Sequence, residues 1–204
     1  MFKKNYKLME RTHTYKNYED YVNYQLKKTS DKTKQAKWLG PEWKLKINIF
    51  KNLFKSNQNE IEQKTNAICL GSRTGQEVVA LKEIGVNNVI GIDLHEFKPY
   101  TIKGDIHDIA FNNETFDLVF TNIFDHSLYP EKMASEVNRI LTKDGMFIIH
   151  LQERPGDKYT EINITDMEKI VELFSPLKLL KKTDIRKSSG IIAMDVELIF
   201  VRES

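Results

Sequence analysis

Cysteine is almost missing from this 204-residue chain; Cys69 is the single one. It sits in an apolar run, so no disulfide framework exists and a reducing, cytoplasmic setting is expected. Proline and glycine are sparse, at 5 and 9 residues, and neither an internal repeat nor a low-complexity tract is present. No run of about 18 apolar residues occurs, so no membrane-spanning helix and no membrane partner are expected. The opening residues, MFKKNYKLMERTHTYKNYED, lack the apolar centre of a secretory signal. Neither sign of charge dominates; the net value is +2. Metal-ligand spacing of His, Cys, Asp and Glu is absent too, so no metal is expected.

What is present fits a globular domain of ordinary size, 40% hydrophobic and 29% charged. The charge is uneven. Residues 1–60 hold 14 Lys/Arg against 6 Asp/Glu, whereas the remainder holds 17 against 23. Such a segment can attract a polyanion, or it can be a solvated helical face. Tyr18, Tyr21, Val22 and Leu26 stand at near-helical spacing. A second helix is expected from Pro41, with Trp43, Ile47, Phe50 and Phe54 on one stripe. Residues 1–60 therefore read as a helical extension packed on a main domain of residues 61–204.

From about residue 65, short apolar strands alternate with helices. Strands are expected at 67–70, 88–93, 100–103, 116–122 and 146–151, and helices at 75–84 and 130–141. This order predicts an α/β fold with a mostly parallel sheet and right-handed crossovers. A helix near 166–174 and strands near 177–185 and 192–201 complete the chain. The connecting KSSG is too short for a parallel crossover, so the final strand should run antiparallel.

The stretch AICLGSRTGQEVVALKEIGV is a strand, a turn with Gly71 and Gly75, and a helix. Missing Cβ atoms let a ligand approach the backbone, and the amides that open the helix would face it. About twenty residues on, VIGIDL ends a strand with Asp93, placed to accept from a ribose diol. KGDIHDIAF then puts Asp105 beside Ile106, an acceptor next to an apolar wall. A fourth strand, FDLVFTNIFDHS, ends in Asn122, Asp125 and His126, at the edge where open α/β sheets bind ligands.

The succession CLGSRTGQE, VIGIDL, GDIHDIAF, FDLVFTNIFDHS and RILTKDGMFIIHL resembles a class I methyltransferase of the Rossmann-like superfamily, which uses S-adenosyl-L-methionine. The likeness covers residues 66–151. It implies a seven-stranded, mostly parallel sheet with an antiparallel last strand, flanked by helices. It also implies that Gly71, Ser72 and Gly75 hold the methionine part, Asp93 with Leu94 the ribose, and Asp105 with Ile106 the adenine; Asn122 is placed with the cofactor as well. Two residues depart from the pattern. Cys69 replaces a common acid, and Arg73 replaces a glycine, so the loop is not expected to follow the glycine path. The Arg73 side chain can reach a carboxylate, or point to solvent or to Glu77.

Methyl transfer needs alignment of donor and acceptor, helped by a base for a hydroxyl acceptor. His126 is the candidate base, with Asp125 as its orienter or substitute; a pocket role for His126 is the alternative. His107 reads as shaping the adenine pocket, and His150 as a residue that can face the crevice. The tetrapeptide typical of base-amine methylation is absent, and the lone cysteine lies in a strand, away from any pyrimidine. The N-terminal YEDYVNYQLKKTSDKTKQAKWLGPEW resembles the leader of methyltransferase domains that accompany polysaccharide-building enzymes. That points to O-methylation of a sugar or another small hydroxyl-bearing acceptor, with Tyr21, Tyr24 and Gln25 lining the acceptor site. Three rivals stand: a nucleic-acid methyltransferase that uses the basic segment, a nicotinamide-dependent protein lacking the full dinucleotide fingerprint, and a non-catalytic cofactor-binding or scaffold module.

Overall fold

The computed structural model describes residues 9–203. After a short strand β1 (Met9–Arg11), four helices precede the sheet: α1 (Tyr18–Thr29), α2 (Lys32–Leu39), α3 (Trp43–Lys55) and α4 (Gln58–Ile61). The α/β part continues with β2 (Asn66–Leu70), α5 (Gln76–Glu83), β3 (Asn88–Asp93), β4 (Thr101–Lys103), β5 (Phe116–Thr121) and α6 (Pro130–Ile140). It closes with β6 (Leu141–Leu151), β7 (Ile162–Ile164), α7 (Met167–Leu173), β8 (Lys178–Asp184), α8 (Arg186–Ser189) and β9 (Val196–Val201). Among the described residues no helix is long and apolar enough to cross a membrane.

Seven strands form one sheet in the order β4-β3-β2-β5-β6-β9-β8. Neighbours from β4 to β6 pair in parallel, and β9 runs antiparallel to both β6 and β8. The chain therefore winds outward from β2 in one direction, then returns to build β5 and β6 in the other. Between the carboxyl ends of β2 and β5 this reversal opens the crevice in which such sheets take ligands.

Both faces of the sheet are buried, and the strands show it residue by residue. In β2, Ile68 and Leu70 join the cluster that includes Met133, Val137, Phe147 and Phe174. Ala67 and Cys69 join the opposite cluster, with Phe50, Phe54, Val78 and Leu81. Cys69 is thus a core side chain, and burial pushes its thiol well above the ordinary value. α3 covers this second face because Ile47, Phe50, Leu53 and Phe54 share one side of the helix. The Phe54 ring meets Phe120 edge-on, 5.0 Å between centroids.

Several boundaries differ from expectation for visible reasons. α2 was not expected; of its eight residues only Trp38 is buried, so no apolar stripe announces it, while Asp31 caps its start by accepting from the Thr33 and Lys34 amides. Because α2 ends at Leu39, the chain turns through residues 40–42 and α3 begins at Trp43, two residues past Pro41. β6 begins five residues early, with Leu141 paired to Phe116 before a register shift. β9 begins late, because residues 186–192 form short helical turns instead. Ser189 closes that loop by donating its hydroxyl to the Met194 carbonyl.

Phe54 is fully buried and joins the N-terminal helices to the sheet. Phe54→Ala should cost about 3–5 kcal/mol, read as a lowered urea midpoint with an unchanged slope.

Candidate functional site

The crevice begins with the β2–α5 loop. Gly71 has φ +72°, and a Cβ there would lie 2.1 Å from Ile123 Cγ1. The amides of Gly71 and Ser72 both donate to the Ile92 carbonyl, at 2.8 and 3.0 Å. Arg73 corrects the expectation that a side chain would divert this loop. It takes φ +47° and so follows the left-handed path of a glycine, a conformation that costs a side-chain-bearing residue roughly 1–2 kcal/mol. Two contacts offset that cost: the Arg73 amide donates to Asp93 Oδ2 at 3.0 Å, and the guanidinium lies over the Trp38 ring at 4.3 Å.

Asp93 stands at the end of β3, where its other oxygen accepts from the His95 amide at 3.2 Å. Burial raises its pKa, partly countered by the His95 and Arg73 contacts. Asp105 lies across the cavity. It accepts from the His107 amide at 2.8 Å, from His107 Nδ1 at 2.9 Å, and from the Tyr18 hydroxyl of α1 at 2.5 Å. Burial acts to raise its pKa, but the bonds from His107 and Tyr18 prevail and hold it below the ordinary carboxylate value. His107 Nε2 accepts from the Tyr129 amide at 3.2 Å, which leaves the Nδ1 proton for Asp105.

His126 lies in a short 3₁₀ turn after β5. Its Nδ1 is 2.7 Å from the Tyr159 carbonyl; a carbonyl only accepts, so the proton is on Nδ1 and Nε2 keeps its lone pair. Lys28 Nζ, from α1, stands 3.4 Å from that Nε2 and 2.8 Å from Asp157. Burial and Arg73 lower the Lys28 pKa, while Asp157 resists the shift. Asp125, expected to orient His126, does not hold the ring. Its Oδ2 is 3.9 Å from Nε2 and accepts from Thr160 Oγ1; the Tyr159 carbonyl orients the imidazole.

Two cavities meet here. The first, about 580 Å³, is lined by Gly71, Arg73, Asp93, Leu94, Asp105 and Ile106, and is roofed by Tyr21 and Gln25 of α1. The second, about 880 Å³, is lined by Lys46, Ser72, Glu77, Asn122, Asp125 and Met194 among others. Lys28, Gly71, Arg73, Ile123 and His126 line both. Most of the expected cofactor residues thus surround the first cavity, whereas Ser72 and Asn122 face the second. Gly75 lines neither; its φ is +87°, and a Cβ there would meet Tyr100 Cβ at 2.4 Å, so its role in this fold is packing. Tyr24 lines neither cavity and donates to the Lys158 carbonyl. His150 is buried away from the crevice, with Nε2 2.9 Å from Glu197.

The sequence reading missed Lys28, Tyr18 and Tyr159. For Lys28 a signal existed: Tyr21, Gln25 and Lys28 stand at i, i+4 and i+7, one face of α1.

With this geometry in view, comparison with known proteins is informative. Residues 68–149 match the methyltransferase domain family. No curated protein is similar in sequence to the chain. Among solved structures, the 1,6-didemethyltoxoflavin-N1-methyltransferase of Burkholderia thailandensis, with 1,6-didemethyltoxoflavin and S-adenosylhomocysteine bound, superposes with a TM-score of 0.68 at 12% identity, over 96% of this chain and 95% of that one. An S-adenosylmethionine-dependent methyltransferase from Clostridium acetobutylicum gives 0.62 at 14% identity, over 78% and 92%. A protein from Pyrococcus horikoshii gives 0.64 at 16%, over 80% and 92%. The fold is that of the Rossmann-like methyltransferases. Within it, residues 68–149 carry the match to the methyltransferase domain family.

Glu77 offers a test of the site's electrostatics. It is buried at the start of α5, and burial lifts its pKa to about 7, against the pull of Arg73 and Lys46. The folded state therefore binds a proton that the unfolded state has released between about pH 4.5 and 7, so Glu77 lowers stability as pH rises through that window. Glu77→Gln should remove the penalty. Relative to the parent, its unfolding free energy should gain about 1–3 kcal/mol between pH 5 and pH 8, measured by urea unfolding at each pH.

Proposed function

We propose that the chain is an S-adenosyl-L-methionine-dependent methyltransferase acting in the cytoplasm on a hydroxyl of a small acceptor, such as a sugar. The observation that carries this reading is the junction of two cavities at His126. The first has room for a nucleoside-sized ligand between Asp93 and Asp105, and the second opens on the far side of the same histidine.

In this reading Asp93 and Leu94 receive the ribose, and Asp105 and Ile106 the adenine. Gly71, Ser72 and Asn122 shape the methionine end, and Arg73 clamps its carboxylate. Both acids are already hydrogen-bonded, yet each carboxylate oxygen keeps further lone-pair directions for a ligand. S-adenosyl-L-methionine, when bound, supplies a sulfonium methyl open to in-line displacement. The chain's own share is positioning, exclusion of water and proton removal. His126 Nε2 takes the acceptor's hydroxyl proton, and the Tyr159 carbonyl keeps the ring in the tautomer that allows it. Lys28 can rest on Asp157 while Nε2 turns to the acceptor. Asp125 serves in the second cavity wall. Of the extension expected over residues 1–60, residues 1–8 lie outside the described residues; the described part covers the cofactor, with Tyr21 and Gln25 as its inner face.

The near full-length likeness to an N1-methyltransferase of a small heterocycle supports a small acceptor and favours, as a second reading, a nitrogen in place of the hydroxyl oxygen. Calorimetry decides the cofactor: S-adenosylmethionine and S-adenosylhomocysteine should bind and NAD should not. Failure of both sulfur compounds to bind would sink the reading. Mass spectrometry of saccharide, nucleotide and protein acceptors, incubated with labelled cofactor, then identifies the acceptor class.

Asp93→Ala should weaken S-adenosylhomocysteine binding by about 1–3 kcal/mol. His126→Ala should lower turnover by about 10²–10⁴ with cofactor affinity intact; weakened binding instead would reassign His126 to the pocket wall.

A further inference from the structure

Tyr159 carries more than the carbonyl that orients His126. Its ring is buried, and three ammonium groups from three separate segments converge on it. Lys28 of α1 lies 5.3 Å from the ring centroid, Lys34 of α2 lies 4.7 Å away, and Lys158 of the β6–β7 loop 5.2 Å away. A single lysine over an aromatic ring gains only about 0.5–1 kcal/mol when exposed. Three like charges around one ring also repel each other. Among the described residues, Asp157, on Lys28, is the one carboxylate paired with any of them.

The collar adjoins the proposed chemistry. Lys28 lines both cavities. The backbone of Tyr159 is held in place, because its carbonyl accepts from His126 and from Gln25 Nε2 at 2.9 Å. On the cavity floor Arg73 adds a fourth cation that rests on Trp38 and not on a carboxylate. Lys46, by contrast, is neutralised by Glu42 at 2.7 Å.

We infer that the acceptor is a phosphate ester whose phosphate seats on the collar of Lys28, Lys34 and Lys158, leaving its reactive hydroxyl at His126. The inference rests on the reading of the second cavity as the acceptor site. A compact dianion neutralises converging ammonium groups better than one carboxylate does, and lysine meets phosphate as a point charge. Three ammoniums about a single ring suit one phosphate group; they do not form the track that a polynucleotide backbone needs.

The test uses the full chain loaded with S-adenosylhomocysteine and titrated with inorganic pyrophosphate, followed by calorimetry and by amide shifts. Saturable binding is expected, with shifts at Lys28, Lys34, Lys158 and Tyr159. Lys34→Glu/Lys158→Glu should weaken pyrophosphate roughly tenfold or more and leave S-adenosylhomocysteine affinity unchanged; Lys158 is exposed and Lys34 half-buried, and a thermal melt confirms folding. Absent pyrophosphate binding, or binding indifferent to the double variant, overturns the collar while leaving the cofactor reading intact. Failure of the parent chain to bind S-adenosylhomocysteine instead counts against the methyltransferase reading itself. Polyuridylate binding tighter than pyrophosphate on the same lysines would overturn the small acceptor in favour of a nucleic acid.

Discussion

The crevice depends on how the end of β3 holds the loop that follows β2. The Ile92 carbonyl takes two amides of that loop, from Gly71 and Ser72, and the Asp93 carboxylate takes a third, from Arg73. These bonds satisfy backbone donors that would otherwise lie unpaired at a buried helix start. They also bring β2 and β3 into one rim. Without them Gly71 would not sit against Ile123, and the wall shared by the two cavities would lose its shape.

Around that rim the N-terminal helices do a second job. α3 buries phenylalanines against the sheet, and this anchors α1 and α2 above the open end of the strands. α1 then reaches three separate parts of the crevice: Tyr18 bonds Asp105, Tyr21 donates to the His126 carbonyl, and Lys28 approaches His126 Nε2. Cations and acids alternate across the resulting space, so no charge there is independent of its neighbours. The lowered Lys28 and the raised Glu77 are two results of the same crowding, with burial as the larger cause in each.

Much of this was legible in the sequence, and the pattern of what was not is physical. β2, β3 and β5 are covered on both faces, so they read as short apolar runs and their positions emerge within a residue or two. The antiparallel β9 followed from the short link before it, although the loop of residues 186–194 took more of the chain than periodicity suggested. α2 was missed because it buries one side chain, and β1 and β7 because they pair only with each other, outside the main sheet and its alternating pattern. Among site residues, acids at strand ends announce themselves through spacing. Arg73 did not, because nothing local shows that a non-glycine will accept φ +47° for the sake of an indole and a carboxylate. The contacts of Tyr18 with Asp105 and of Lys28 with His126 span 87 and 98 residues, and no local pattern encodes them.

One of those contacts bears on how the protein would receive the proposed cofactor. The Tyr18 hydroxyl donates to Oδ2 of Asp105, the acid that the proposed reading offers to an adenine amine. The chain thus supplies its own competitor for that acceptor, tethered and always present. A ligand arriving there either shares that carboxylate or displaces the phenol, and where it displaces the phenol the net gain is a difference and not a sum. Discrimination among purines at this position would then reflect how each compares with a phenol, and α1 would loosen in proportion to how well the newcomer fits.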